Sequence, residues 1–366
     1  MKILQISLAL FATLFFATGA FAADNAMNPN ISFLGNFIAS HDNSPLNPNQ
    51  NKTVFGLSEL EITADSYLNP YSKASVIVSM HYDNQNNLAA EIEEANISIF
   101  KGLPISGLNL KLGKFFVDFG RINTVHSHAL PFITAPRSLS QFIPAGDGNY
   151  SDSGVEASYL FPSFFGGAST LSGNVLTGEP FHDANDTSLG HYAYAARLNN
   201  SYMLSDSMPL EVGFSWMQGV SNVADDNVNN ILEADFKVKK TFSNAANLVV
   251  QGEYFYNLGN YVDTINLTPL GVADVRGDGR YGFYAFANMT FLTRWNAGAI
   301  YEQYQRQGDN SMTDYSYKAF AGFSLLEETT VFRVSAEHFV PQNEQASNIV
   351  MFQLVFAMGP HKAHIF

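Results

Sequence analysis

The strictest constraint in this chain is a period of two. In Leu210-Glu211-Val212-Gly213-Phe214-Ser215-Trp216 every second residue is large and apolar, and Glu, Gly and Ser lie between. Leu60, Ile62 and Ala64 alternate with Glu59, Glu61, Thr63 and Asp65, and Leu232, Ala234, Phe236 and Val238 with Glu233, Asp235, Lys237 and Lys239. Phe332, Val334 and Ala336 alternate in the same way with Arg333, Ser335 and Glu337. Successive residues of a strand point to opposite faces, whereas a helix would mix the two sets on every face. The chain is therefore read as a succession of two-faced strands.

About sixteen such segments follow one another, each near the ~9–11 residues that a tilted strand needs to cross a bilayer. They begin near Ile31, Val54, Lys73, Ala89, Ser106, Ser153, Gly167, His191, Leu210, Ile231, Asn247, Arg280, Trp295, Ser316, Thr330 and Asn348. Short connections (Gly102 to Ile105, Ser205 to Pro209, Glu327 to Thr329) alternate with longer ones, among them His41 to Thr53, Asp118 to Asp152 and Leu258 to Gly279. An even number of strands with turns at one end and loops at the other predicts an all-β fold, a transmembrane antiparallel up-and-down β-barrel of about 16 strands over 31–358. Aromatics near strand ends, such as Phe161, Tyr202, Tyr254, Phe291, Trp295 and Tyr317, fit interfacial girdles.

Composition agrees. Only 14% of the residues are charged against 46% hydrophobic, where a soluble chain carries roughly 25% charged. The 33 acidic residues against 19 basic ones, net −14, exclude nucleic acid as a partner, because phosphate binding needs a basic surface. Absence of cysteine excludes thiol chemistry, a Cys-ligated metal and a disulfide scaffold. Residues 1–22 read as a cleaved signal peptide, with Lys2, an apolar run from Ile3 to Phe16, and Ala20-Phe21-Ala22 as the cleavage site. Segment 23–30 then leads into the barrel and 359–366 forms a periplasmic tail. The expected address is the outer membrane of a Gram-negative cell, in contact with lipid and lipopolysaccharide.

A barrel of this size is too wide for its own side chains to fill. The polar faces send Glu59, Glu61, Asp65, Glu94, Glu156, Glu233, Asp235, Glu253 and Glu337 to the lumen, with Lys73, Lys111, Arg197, Lys237, Lys239 and Arg333 as their basic counterparts. Acids outnumber bases, so mild cation preference is expected of a passive channel for small hydrophilic or ionic solutes. The 118–152 connection is too apolar to be disordered, with Phe119, Ile122, Leu130, Phe132, Leu139 and Phe142, and is expected to fold inward as a constriction carrying Arg121, His126, His128 and Arg137. His126-Ser127-His128 has imidazoles suited to zinc or copper. The sequence shows no third ligand, so a hydrogen-bonded structural role is expected and no metal or other cofactor is assigned.

The run Gly113-Lys114-Phe115-Phe116-Val117-Asp118-Phe119-Gly120-Arg121-Ile122-Asn123, continuing to His126, His128 and Pro131-Phe132, resembles a group of porin-like outer-membrane proteins. These are related in architecture to phosphate-selective porins, and some carry the label zinc-regulated TonB-dependent receptor. Ser153-Gly154-Val155-Glu156 and Gly359-Pro360-His361 look similar too. The resemblance implies a porin-like barrel connected with metal physiology. Ala23 to Asn30 leave no room for a plug domain and no basic ladder is visible, so neither energy-coupled transport nor phosphate selectivity is expected. The terminal Phe366 is similar to the signature read by the outer-membrane assembly machinery, and a homotrimer is compatible with the sequence. Two rival readings are an outer-membrane hydrolase and a non-conducting structural or adhesive barrel. The first lacks a Gly-x-Ser-x-Gly or His-Glu-x-x-His motif, and no catalytic residue is assigned.

Overall fold

A computed structural model describes residues 29–45, 47, 49–82, 87–144, 149–162, 167–181, 191–222, 227–242, 246–263, 274–277, 279–307, 309–325 and 329–359. The signal-peptide reading of 1–22, most of segment 23–30 and the tail residues His361, His364 and Phe366 lie outside them. The first half of the barrel comprises β1 (Asn30–Asp42), β2 (Thr53–Asn69), β3 (Ser72–Tyr82), β4 (Leu88–Ile99), β5 (Leu108–Phe116), β6 (Ser151–Pro162), β7 (Ala168–Leu176) and β8 (Ala193–Ser205). There follow β9 (Met208–Asn222), β10 (Asn227–Thr241), β11 (Asn247–Asn257), β12 (Asn260–Asp263) and β13 (Asp274–Gly277). The chain ends with β14 (Arg280–Phe291), β15 (Trp295–Arg306), β16 (Asp309–Ser324), β17 (Thr330–Val340) and β18 (Ser347–Met358). All but β12 and β13 join into one closed sheet in which each strand pairs with its sequence neighbours and β1 pairs with β18. This is an antiparallel up-and-down barrel of sixteen strands.

Burial alternates along the strands in step with the sequence. Leu232 and Phe236 are exposed while Glu233 and Asp235, between them, are buried, and Val334 is exposed between the buried Arg333 and Ser335. Ile92, Leu171, Val175, Phe214, Val350 and Phe352 add to the same outward apolar band. A soluble surface rarely exposes a contiguous apolar patch of more than a few hundred Å², so this exterior is built for a non-aqueous surrounding. Among the described residues no helix is long and apolar enough to cross a membrane. At the turn end, aromatics cluster: Trp295 lies 4.5 Å from Phe323 and Tyr67 6.1 Å from Phe100, measured between ring centroids.

The interior departs from the expected polar lining in one respect. The inward faces of β10 to β16 also carry Ile231, Phe255, Phe286, Ile300, Tyr304 and Phe320. Against them pack Phe119, Ile122, Leu130, Phe132, Leu139 and Phe142 from the chain between β5 and β6. Phe132 meets both Phe286 (5.2 Å) and Phe320 (5.5 Å) edge-on, and Phe142 stacks on Phe255 at 5.6 Å. Burying each such ring contributes roughly 1.5–3 kcal/mol. This segment therefore has an apolar core of its own against one arc of the wall.

Candidate channel site

The β5–β6 segment is tied to the wall by polar contacts as well as by its rings. Its neck is closed by Asn123, whose amide donates to the carbonyls of Val117 (2.7 Å) and Tyr150 (3.1 Å) while its oxygen accepts from the Tyr150 N–H (2.7 Å). The Arg121 guanidinium reaches Glu211 of β9 at 2.5 Å and Asp235 of β10 at 2.9 Å. The backbone N–H groups of Arg121 and Ile122 both donate to Oε1 of Glu253 on β11, at 3.0 and 2.8 Å. Gly120 N–H donates to Ser215 Oγ at 3.0 Å, a close approach that its φ of +64° permits. Arg197 of β8 completes this cluster by pairing with Asp235 (2.7 Å), Glu233 (3.3 Å) and Asp118 (3.4 Å).

A second set of anchors holds the far part of the segment. Asn296 of β15 donates to the Pro131 carbonyl (3.1 Å), and Lys318 of β16 to Thr134 Oγ1 (2.7 Å). A short helix, α1 (Arg137–Phe142), points its Ser138 N–H at Glu302 of β15 (2.9 Å). Arg137 pairs with Glu337 of β17 at 2.5 Å and lies over the Phe339 ring at 4.3 Å. Beside these, a cavity of about 850 Å³ remains between the segment and the wall. Glu59, Glu91, Glu93 and Glu337 line it together with Arg137 and His126.

His126 and His128 face Glu61 of β2. Their Nδ1 atoms lie 3.4 and 3.6 Å from Glu61 Oε2, and the two rings stack with centroids 5.4 Å apart. His126 Nδ1 is also 3.3 Å from Glu93 Oε2, and its Nε2 is 4.0 Å from Glu94 Oε1, both on β4. Burial opposes protonation of His126, but Glu61 and Glu93 outweigh it and push the imidazole up to about 10.

No protein-family model matches the chain. A curated relative from Aquifex aeolicus (strain VF5), described as an uncharacterized protein, is 25% identical over 367 residues, covering 89% of this chain and 72% of that one. Solved structures are similar over nearly the whole length. An anion-selective porin from Comamonas acidovorans superposes with TM-score 0.59 at 10% identity, covering 90% of this chain and 99% of that one. OmpF of Salmonella typhi, in complex with daunomycin, gives 0.59 at 9% identity over 92% and 99% of the two chains. The outer membrane channel DcaP of Acinetobacter baumannii gives 0.57 at 9% identity over 93% and 99%.

The chain has the porin fold.

Within this porin fold the fifteen wall residues singled out from the sequence divide into two groups. Glu61, Asp65, Glu156, Arg197, Glu233, Asp235, Glu253, Arg333 and Glu337 are buried, several of them beneath the β5–β6 segment. Glu59, Lys73, Glu94, Lys111, Lys237 and Lys239 are half-buried. Asp65 pairs with Lys73 at 2.5 Å and Lys111 with Glu156 at 3.4 Å, wall-to-wall contacts that do not involve the segment. Arg121, His126, His128 and Arg137 converge on wall carboxylates, but at separate points.

Sequence reasoning missed Glu93. The β3–β4 register shifts between Ile77 and Val78, so Glu94 pairs with Ile77 and Ile92 with Val78, leaving Glu93 as the extra residue. A bulge of this kind breaks strict alternation and leaves two successive side chains free to serve one face. The signal was the adjacent pair Glu93-Glu94, two charges where a regular strand would place one.

Proposed function

We propose that this protein is a passive diffusion channel of a Gram-negative outer membrane, admitting small hydrophilic solutes with mild preference for cations. The observation that carries the reading is the acid-lined cavity left between the β5–β6 segment and the wall. Four carboxylates, Glu59, Glu91, Glu93 and Glu337, face it against Arg137 and His126, and Glu337 is already paired with Arg137. An excess of fixed negative charge beside a narrow aqueous path raises the local concentration of cations and weights passage towards them. The segment acts as the constriction, Arg121 and Arg137 fasten it, and the half-buried lysines Lys73, Lys111, Lys237 and Lys239 temper the preference. The apolar band contacts lipid and lipopolysaccharide, the leader is cleaved after Ala22, and the outer-membrane assembly machinery inserts the barrel. Barrels associate as homotrimers, for which the outward hollow of Ala285, Ala287, Ala299, Ala319 and Ala336 offers a close-packing face.

The test is single-channel recording in planar bilayers. Ohmic steps that scale with salt, and a reversal potential of cation-selective sign under a salt gradient, are the expected result. Electrical silence of a correctly folded barrel would remove the channel reading, and an anion-selective reversal potential would remove the charge argument.

A further inference from the structure

The histidines of the β5–β6 segment meet more than the hydrogen-bonding partners a structural role requires. Glu61, His126 and His128 each offer one ligand atom, and the three atoms lie within 4.8 Å of one another. Zinc binds imidazole nitrogen and carboxylate oxygen at about 2.0–2.2 Å, so at tetrahedral angles two ligand atoms stand about 3.4 Å apart. Separations of 3.4 Å (His126–Glu61) and 3.6 Å (His128–Glu61) match that edge without rearrangement of the backbone.

A second, independent observation concerns Glu61 itself. The residue is only 2% exposed. Its Oε1 accepts from Thr63 Oγ1 at 2.8 Å, while its Oε2, aimed between the two imidazoles, accepts no hydrogen bond. Glu93 Oε2 is likewise buried without a hydrogen bond, 3.3 Å from His126 Nδ1. A buried carboxylate oxygen without a donor carries a penalty unless a cation compensates it. Glu59 belongs to the same acidic group as Glu61 and Glu93, so three carboxylates gather beside the two imidazoles.

We propose that Glu61, His126 and His128 form a binding site for a divalent transition ion of the zinc class, with Glu93 as the nearest carboxylate to complete it. Two imidazoles and carboxylate oxygens, without thiolate, suit zinc, copper, nickel or cobalt(II) and do not suit the all-oxygen preference of magnesium or calcium. The site joins the segment to β2 and β4 beside the cavity, so the ion staples the constriction to strands that contribute no residue to the apolar core described above. The inference does not depend on conduction, and a barrel that binds the ion without conducting would leave it intact.

The experiment uses the full, untagged chain refolded in detergent, titrated with Co²⁺ and then Zn²⁺. One ion per barrel is expected, with the visible bands of low-coordinate cobalt bleached by zinc. Loss of an outer-shell partner costs about 10–100-fold in affinity, so removal of a ligand in Glu61→Gln or His128→Gln should weaken binding by at least about 100-fold. His41→Gln, an exposed histidine bonded to Thr53, should leave affinity unchanged, as should the double variant His361→Gln/His364→Gln. Absence of binding, binding that survives Glu61→Gln and His128→Gln, or equal competition by Mg²⁺ would overturn the site. Zinc-edge X-ray absorption of the wild-type protein requires no variant to fold. A shell of two imidazoles supports the assignment, and a purely oxygen shell refutes it.

Discussion

At Gly120 two demands coincide. The residue holds φ at +64°, where an L-residue with a Cβ costs about 1–2 kcal/mol, and that Cβ would stand 2.5 Å from Oε2 of Glu253. Moving Glu253 aside would disturb the carboxylate that receives the N–H groups of Arg121 and Ile122, and hydrogen bonds to charged groups contribute about 1.5–3 kcal/mol each. Gly120→Ala should therefore loosen the β5–β6 segment while leaving the barrel closed. The expected readings are faster protease cleavage within 117–144 and noisier single-channel current, with heat-modifiable migration retained. A segment as protected as in the wild type would show that Gly120 is not where the docking is decided. The two groups of carboxylates predict a further contrast. Glu59→Lys, at the cavity, should move the reversal potential towards anions, whereas Glu233→Gln, buried beside Arg197, should lower resistance to denaturant and leave selectivity nearly unchanged. Equal effects on selectivity would mean that the cavity is not the path.

At the scale of elements, strands were far more legible than what joins them. Each of the sixteen barrel strands begins within a few residues of its expected start, except at β10 and β16, whose outer ends extend further because the loops they enter continue the pairing. Alternation is local and needs a window of only about seven residues to be seen, which makes it legible in sequence. The partners of the β5–β6 segment could not. Arg121 meets Glu211 and Asp235 across 90 and 114 residues, and Ser138 meets Glu302 across 164, separations that only the closed wall makes short. The small β12–β13 hairpin is likewise not legible in sequence, since four-residue strands are too short to establish a period. The inward apolar arc had a visible trace: Phe283-Tyr284-Ala285-Phe286 in β14 has no polar face at all. If the segment narrows the path, deleting Ala129 to Ala145 should raise conductance several-fold and weaken selectivity. Unchanged conductance in a folded deletion variant would place the constriction elsewhere.

For the molecule as a whole, the outer surface is not uniform. Around most of the wall the exposed residues are large, as with Phe214, Leu232, Leu171 and Phe352. Across β14 to β17 they give way to Ala285, Ala287, Ala299, Ala319 and Ala336, a hollow bordered by Tyr301, Tyr317 and Val350. Lipid tails are as apolar as leucine, so association within a membrane is driven by close van der Waals packing, which small residues allow and bulky ones prevent. Ala299 and Ala319 are cross-strand partners at the centre of this face, and both are exposed. Replacing either by tryptophan fills the hollow without touching the lumen side of the wall. The wild type extracted in mild detergent should sediment as a trimer, and Ala299→Trp or Ala319→Trp should shift it towards monomers whose single-barrel conductance is unaltered. A wild type that sediments as a monomer would remove the assembly reading, and a trimer indifferent to both substitutions would move its interface to another arc.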